Sequence, residues 1–259
     1  MFSIEWAAWA LFIALFAGIL ASLEAGYRIG CNKSNKNPEH AFEGNGAMEA
    51  AIFSLLGLLL AFSFSGATAR FDARRQLIVQ EANTIGTAYQ RLDLLPAADQ
   101  PALRQLFREY LDARLQGFQK ILDRPAADQE FTRAAQIEQQ IWSQAIAAGR
   151  TDPSQNVARL LLPSLNQMTD VASQRAVALE TYMPELIFWL LVCVTLMSGV
   201  LAGYAMARRA RRSWLHMVLF SAIISVTISV MFDFNYPRYG LIRVDAADNV
   251  LLQLRETMR

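Results

Sequence analysis

Residues 48–69 read MEAAIFSLLGLLLAFSFSGATA, and from Ile52 to the end of this stretch no side chain is charged. A bilayer core of about 30 Å needs roughly 20 helical residues to cross it. This stretch supplies them and then runs into Arg70 without a proline or a glycine pair to stop it, so a helix is expected to leave the membrane unbroken. Working outward, residues 6–23 form an apolar run of 18, residues 186–206 one of 21 and residues 214–232 one of 19. The chain is 54% hydrophobic and 18% charged, and its apolar residues are gathered into these four blocks. The composition predicts an all-α integral membrane protein with four transmembrane helices, two before and two after a polar insert.

The expected organisation is a first transmembrane pair in residues 1–69 (about 5–23 and 48–69), a helical extramembrane domain in 70–183, a second pair in 184–232 (about 186–206 and 214–232) and a polar C-terminal turn and tail in 233–259. The first block is read as a retained helix and not a signal peptide, because residues 1–5 lack the Lys or Arg of a basic n-region. Cys31 and Cys193 fall at different expected depths, so no disulfide is expected.

Within the insert, Leu103, Leu106, Phe107, Tyr110, Leu111, Phe118, Ile121 and Leu122 recur at helical steps after Pro101. Phe131, Ile137, Ile141, Trp142 and Ile146 repeat the pattern, with Gly149 where a C-terminal cap belongs and Pro153 beyond it. The segment Pro-Ala-Ala-Asp-Gln occurs at 96–100 and again at 125–129, read as two similar turns. A last long helix is expected from Val157 into the third span, kinked at Pro163, with Pro184 at the membrane boundary.

The signals bearing on function are sparse. No span carries an ionisable residue near its middle; Glu5, Glu24, Glu49 and His216 sit at expected ends, which argues against coupled pumping. His40 and His216 are far apart, and no zinc-ligand spacing, phosphate-binding loop or nucleophile elbow occurs, so no catalytic residue, metal or cofactor is expected and the protein is not read as an enzyme. A net charge of +1 gives no case for nucleic acid. Gly199 and Gly203 have the small-xxx-small spacing of close helix packing, within the chain or between copies. In the second span Ser54, Leu58, Phe62, Ser65 and Ala69 share one helical face, which fits either a narrow pore closed by dewetting or a helix packed on its neighbours. Basic residues do not fix the orientation: Arg28, Lys33, Lys36, Arg208, Arg209, Arg211 and Arg212 on one side are matched by Arg70, Arg74, Arg75, Arg175, Arg238 and Arg243 on the other.

Gly57 to Leu92, and within it Arg70, Phe71, Asp72, Ala73 and Arg74, resembles the corresponding stretch of bacterial bestrophins, with the acidic residue one place early. Asp233, Phe234, Asn235, Tyr236, Pro237, Arg238, Tyr239 and Gly240 resemble the turn after the last bestrophin span, with Asp245, Asp248 and Asn249 beyond it. The chain as a whole is similar to the bestrophin-like bacterial membrane proteins. The resemblance implies a homo-oligomeric, pentameric ion channel in the inner membrane, passing small ions, with the second span lining the pore and the neck at Leu58 and Phe62, flanked by Ser54 and Ser65. It also implies a possible ion or gating turn at Asp233, Asn235, Asp245 and Asp248, and a cytoplasmic helical domain. Two departures limit it. Ser63, Phe64 and Ser65 stand where bestrophins have Arg-Asn-Asn, so selectivity does not carry over, and the acidic cluster that binds calcium in animal bestrophins is thinner here. The competing reading is a non-conducting membrane scaffold or sensor whose helical domain binds partner proteins.

Overall fold

The computed structural model describes residues 2–36, 46–150, 155–207, 213–235 and 245–258, with side chains except at 2–8, 34–36 and 245–248. His40, Pro153, the arginines at 208, 209, 211 and 212, and residues 236–244 of the expected turn lie outside the described residues. Every described element is helical: α1 (Phe2–Lys36), α2 (Gly46–Gln90), α3 (Gln100–Gln119), α4 (Arg124–Arg150), α5 (Leu162–Glu180), α6 (Glu185–Ala207), α7 (Trp214–Asn235) and α8 (Asp245–Thr257). Among the described residues, four stretches are long and apolar enough to cross a membrane, in α1, α2, α6 and α7. The 23 residues of α6, at about 1.5 Å each, reach roughly 34 Å, enough to span a hydrocarbon core.

The chain divides into two compact units, Met1–Arg70 with Tyr182–Leu241 and Phe71–Thr181 with Ile242–Arg259. In the first, the membrane unit, α1 packs along α6 and α7. A methyl group built on Gly203 would meet the Leu23 backbone carbonyl carbon at 2.8 Å and the Tyr27 nitrogen at 2.9 Å, and one on Gly26 would meet the Val200 Cα at 2.9 Å. The α1 and α6 backbones are therefore in direct contact, which in lipid, where no hydrophobic drive brings helices together, is what allows dense van der Waals packing. Gly199 joins the same seam against Ser22, and Gly30 lies against Tyr204 and Ala207. The partner stripe is Ser22, Gly26 and Gly30, at four-residue steps on α1.

The second, helical unit is assembled from the later part of α2, a 3-10 turn (Arg91–Leu94), α3, α4, a π-helical turn (Val157–Leu161), α5 and α8. The buried face of α3 carries Leu103, Phe107, Tyr110, Leu111 and Phe118, but α3 ends at Gln119 and Leu122 is exposed, so the expected stripe stops one turn early. On α4 Ile137 and Ile141 are buried together with Ala127, Ala134, Ala145 and Ala148, whereas Ile146 is exposed. Gly149 is not a cap: it lies inside α4, where a methyl group would sit 3.0 Å from Val157 Cγ1. The Pro-Ala-Ala-Asp-Gln segments also part company, the first forming a turn before α3 and the second lying within the start of α4.

The expected long helix into the third span is broken. Pro163, which has no N–H to donate, directly follows the π-helical turn at the start of α5, and the chain is non-helical from Thr181 to Pro184. Arg74 explains the stop: its guanidinium donates to the Ala178 carbonyl at 3.0 Å and the Thr181 carbonyl at 2.7 Å, satisfying acceptors that a continuing helix would have used. Residues 245–257, read from sequence as polar tail, form α8, which buries Leu251, sets Leu254 against Gly86 and pairs Arg255 with both carboxylate oxygens of Asp112 at 2.6 and 3.0 Å.

At the centre of this unit Glu81 of α2, with no exposed surface, accepts hydrogen bonds from Arg114 of α3 at 2.7 Å and from Arg175 of α5. Phe118 covers both cations, its ring centroid 3.4 Å from the Arg175 guanidinium and 5.0 Å from that of Arg114. Burial is the largest influence and works against the charge of Arg114, but the attraction of Glu81, with its hydrogen bond, together with that of Tyr110 and Glu138 outweighs it and the Arg114 pKa is raised. Burial also pushes the Tyr110 hydroxyl upward, so it stays neutral.

Two substitutions test these contacts by thermal unfolding in detergent. Gly203→Ala should destabilise by about 1–3 kcal/mol through overpacking against backbone, while Gly18→Ala, which meets only Leu196 Cδ2 at an ordinary 3.6 Å, should not. Glu81→Gln should cost about 3–5 kcal/mol because it leaves two buried guanidinium groups uncompensated; Arg133→Ala, which removes a surface pair at 3.9 Å from Glu130, should cost under about 1 kcal/mol.

Candidate pore-lining face and polar end of the membrane unit

The part of α2 within the membrane unit has two unlike sides. On one, Leu56 and Ala67 are buried, Leu59 and Leu60 join the cluster around Leu15, Leu191, Ile228 and Met231, and Phe53 and Phe64 meet Phe220 and Phe234 edge-to-face at centroid distances of 6.4 and 5.8 Å. On the other, Ser54, Leu58, Phe62, Ser65 and Ala69 are all exposed, with Leu58 at 52% and Phe62 at 68%. Leu56 and Leu58 are two helical steps apart, about 200° around the axis, so packing one face leaves the other bare. The Ser54 hydroxyl donates to the Ala50 carbonyl of its own helix at 2.8 Å, so its presence on this face leaves no unsatisfied donor.

At the other end of this face Arg70 donates from Nε to Asn235 Oδ1 at 3.1 Å, joining the last residue of α7 to α2. Asn235 is 2% exposed and its Nδ2 donates to the Met231 carbonyl at 3.2 Å, so the amide is engaged on both atoms. Asp233, two residues earlier, is also buried. Asp245 and Asp248 belong to the first turn of α8 in the helical unit, and their side chains lie outside the described residues. Gly199 and Gly203 belong to the seam with α1.

Sequence reading missed the Arg70–Asn235 bond, which joins residues 165 positions apart, and the glycine stripe of α1, whose four-residue spacing was visible. It also missed a shallow hollow of about 280 Å³ near the same end, lined by Met183, Glu185, Phe188, Trp189, Phe232 and Asn235.

A membrane protein with four spanning helices, two before and two after an inserted helical unit in the chain, is the class these features define. The Bestrophin-like domain profile matches residues 43–249, most of the chain, and the protein belongs to the Bestrophin-like family. Among solved structures it is similar to a mutant of a bacterial bestrophin homolog from Klebsiella pneumoniae, at 16% identity over 95% of this chain and 98% of that one, with a TM-score of 0.68. A crystal structure described as a membrane protein matches at 15% identity over 93% and 96% of the two chains, again with a TM-score of 0.68. At such identity the likeness is one of fold. No curated protein matches the chain in sequence.

Asn235→Leu keeps the bulk and removes the acceptor for Arg70. It should lower stability by about 1.5–3 kcal/mol, the range for a hydrogen bond to a charged group, while Asn235→Asp, which still accepts from Arg70, should lose less; unfolding midpoints in detergent compare the two.

Proposed function

We propose that the protein is one subunit of a homo-oligomeric ion channel in the inner membrane, a pentamer by family resemblance, in which α2 of each copy lines the pore. The observation that supports this is the bare face of α2. Ser54, Leu58, Phe62 and Ser65 are exposed in the single chain although the opposite face of the same helix is packed. Membership of the Bestrophin-like family supports it too. Around an axis, one Leu58 and one Phe62 from each subunit form an apolar neck, which stops ions by excluding water and not by a fixed charge. Ser54 and Ser65 flank the neck with hydroxyls, and no residue from Ile52 to Ala69 carries charge. Discrimination between ions at the neck therefore rests on width and hydration and not on a charged ring. The helical unit lies on the cytoplasmic side. Asp233 and Asn235 stand at the end of the conduction path, where Arg70 ties α7 to the pore helix.

Flux through proteoliposomes containing the full chain tests this. Phe62→Ala should raise small-ion flux or open probability by wetting the neck, and Phe62→Trp should lower it. Phe62 is 68% exposed in the single chain, so its truncation leaves no cavity within the chain, and the unfolding midpoint of the subunit should stay within about 0.5 kcal/mol of the parent. A reconstituted protein that passes no small ion, with Phe62→Ala equally silent, would favour the non-conducting scaffold.

A further inference from the structure

The hollow at the end of the membrane unit combines three aromatic rings with one carboxylate. Glu185, Phe188 and Trp189 are at i, i+3 and i+4 on the first turns of α6, and Phe232 and Asn235 are at i and i+3 on the last turn of α7. The Phe188 ring centroid lies 5.6 Å from that of Trp189 and 6.0 Å from that of Phe232, with interplanar angles of 74° and 56°, so the rings form walls and not a stack. Glu185 is exposed and makes no hydrogen bond or ion pair among the described residues. Among the described residues no Lys or Arg lines the hollow, and Arg70 is engaged with Asn235.

Chemistry selects the occupant. Aromatic faces carry negative quadrupole density and attract cations, most of all those with weakly hydrated alkyl substituents. The carboxylate adds a full negative charge on the same side. An anion would meet both with the wrong sign, and an acyl chain would cut Glu185 off from water without a partner. At about 280 Å³ the hollow is smaller than the roughly 300–1,000 Å³ of sites for drug-sized ligands, which suits a single polar group. Its depth is also set: Glu185 opens one span, Asn235 closes another, and Trp189, 60% exposed, is in the belt where tryptophan sits at the lipid headgroups.

We propose that this hollow binds an organic ammonium group, either the headgroup of an ethanolamine or choline phospholipid or a free amine. It does not depend on conduction, and none of the readouts below involves ion flow.

The full chain in detergent is incubated with phosphatidylethanolamine, phosphatidylcholine or phosphatidylglycerol of identical acyl chains, and retained lipid is counted by native mass spectrometry. In parallel, unfolding is followed in tetramethylammonium chloride against potassium chloride at equal ionic strength. Ammonium lipids retained roughly five- to thirtyfold over phosphatidylglycerol, the range expected of a cation held by aromatic faces, with the preference lost in Glu185→Gln and Trp189→Ala, support the headgroup as source. Stabilisation by tetramethylammonium that is lost in Glu185→Gln, without lipid discrimination, supports a free amine. Trp189→Ala alters packing, but Glu185→Gln changes only an exposed charge and decides the matter if the former misfolds. No discrimination in either arm, or a preference undiminished in Glu185→Gln, overturns the proposal.

Discussion

Glu81 has no contact with water, and the way the helical unit comes together follows from that. A lone buried carboxylate costs several kcal/mol, and here the cost is offset by guanidinium groups from two other helices, each itself too expensive to bury alone. The three charges are therefore mutually conditional: α2, α3 and α5 can hold their buried faces together only in the register that brings Glu81, Arg114 and Arg175 into bonding distance. Apolar packing supplies most of the stabilisation, through Ile78, Ile85, Phe107, Leu111 and their neighbours, but such contacts tolerate sliding. The ion triad does not, and the Phe118 ring laid over both cations narrows the geometry further.

The membrane unit solves a different problem. Its helices gain nothing from leaving lipid, so α1 and α6 bring backbones together through glycines instead of exchanging large side chains. Large residues that could have filled a core, among them Trp9, Ile13, Leu186 and Trp189, are on the outside, as expected where the solvent is hydrocarbon.

The sequence made the four spans legible because transfer into lipid depends on local composition alone, and the 48–69 stretch needs no partner to be recognised. The inward faces of α3 and α4 were legible as far as periodicity persists, to Phe118 on α3. What failed was non-local. Gly149 reads as a cap until Val157 is seen beside it, and the helix from Val157 reads as continuous until Arg74, a hundred residues earlier in the chain, is found capping its end at Ala178 and Thr181. Glu81 looks like any surface glutamate of a helix, since only the positions of Arg114 and Arg175 in space distinguish it. At the candidate site, the Ser54–Leu58–Phe62–Ser65 face could be drawn from a helical wheel, yet whether it is covered depends on what α7 and α1 do, and periodicity holds no information on that.

The glycine seam between α1 and α6 has a consequence for how the protein is made. Chains emerge from the ribosome N-terminus first, so α1 enters the bilayer while everything from α2 to α5 has still to be synthesised, and its counterpart α6 does not yet exist. During that interval the groove at Ser22, Gly26 and Gly30 faces lipid with its backbone thinly shielded, and no side chain of α1 can substitute for the missing helix. The membrane unit is thus completed late, by a helix translated only after the whole of α2 to α5, and premature termination before Glu185 would strand an inserted first span without the surface it was shaped to meet.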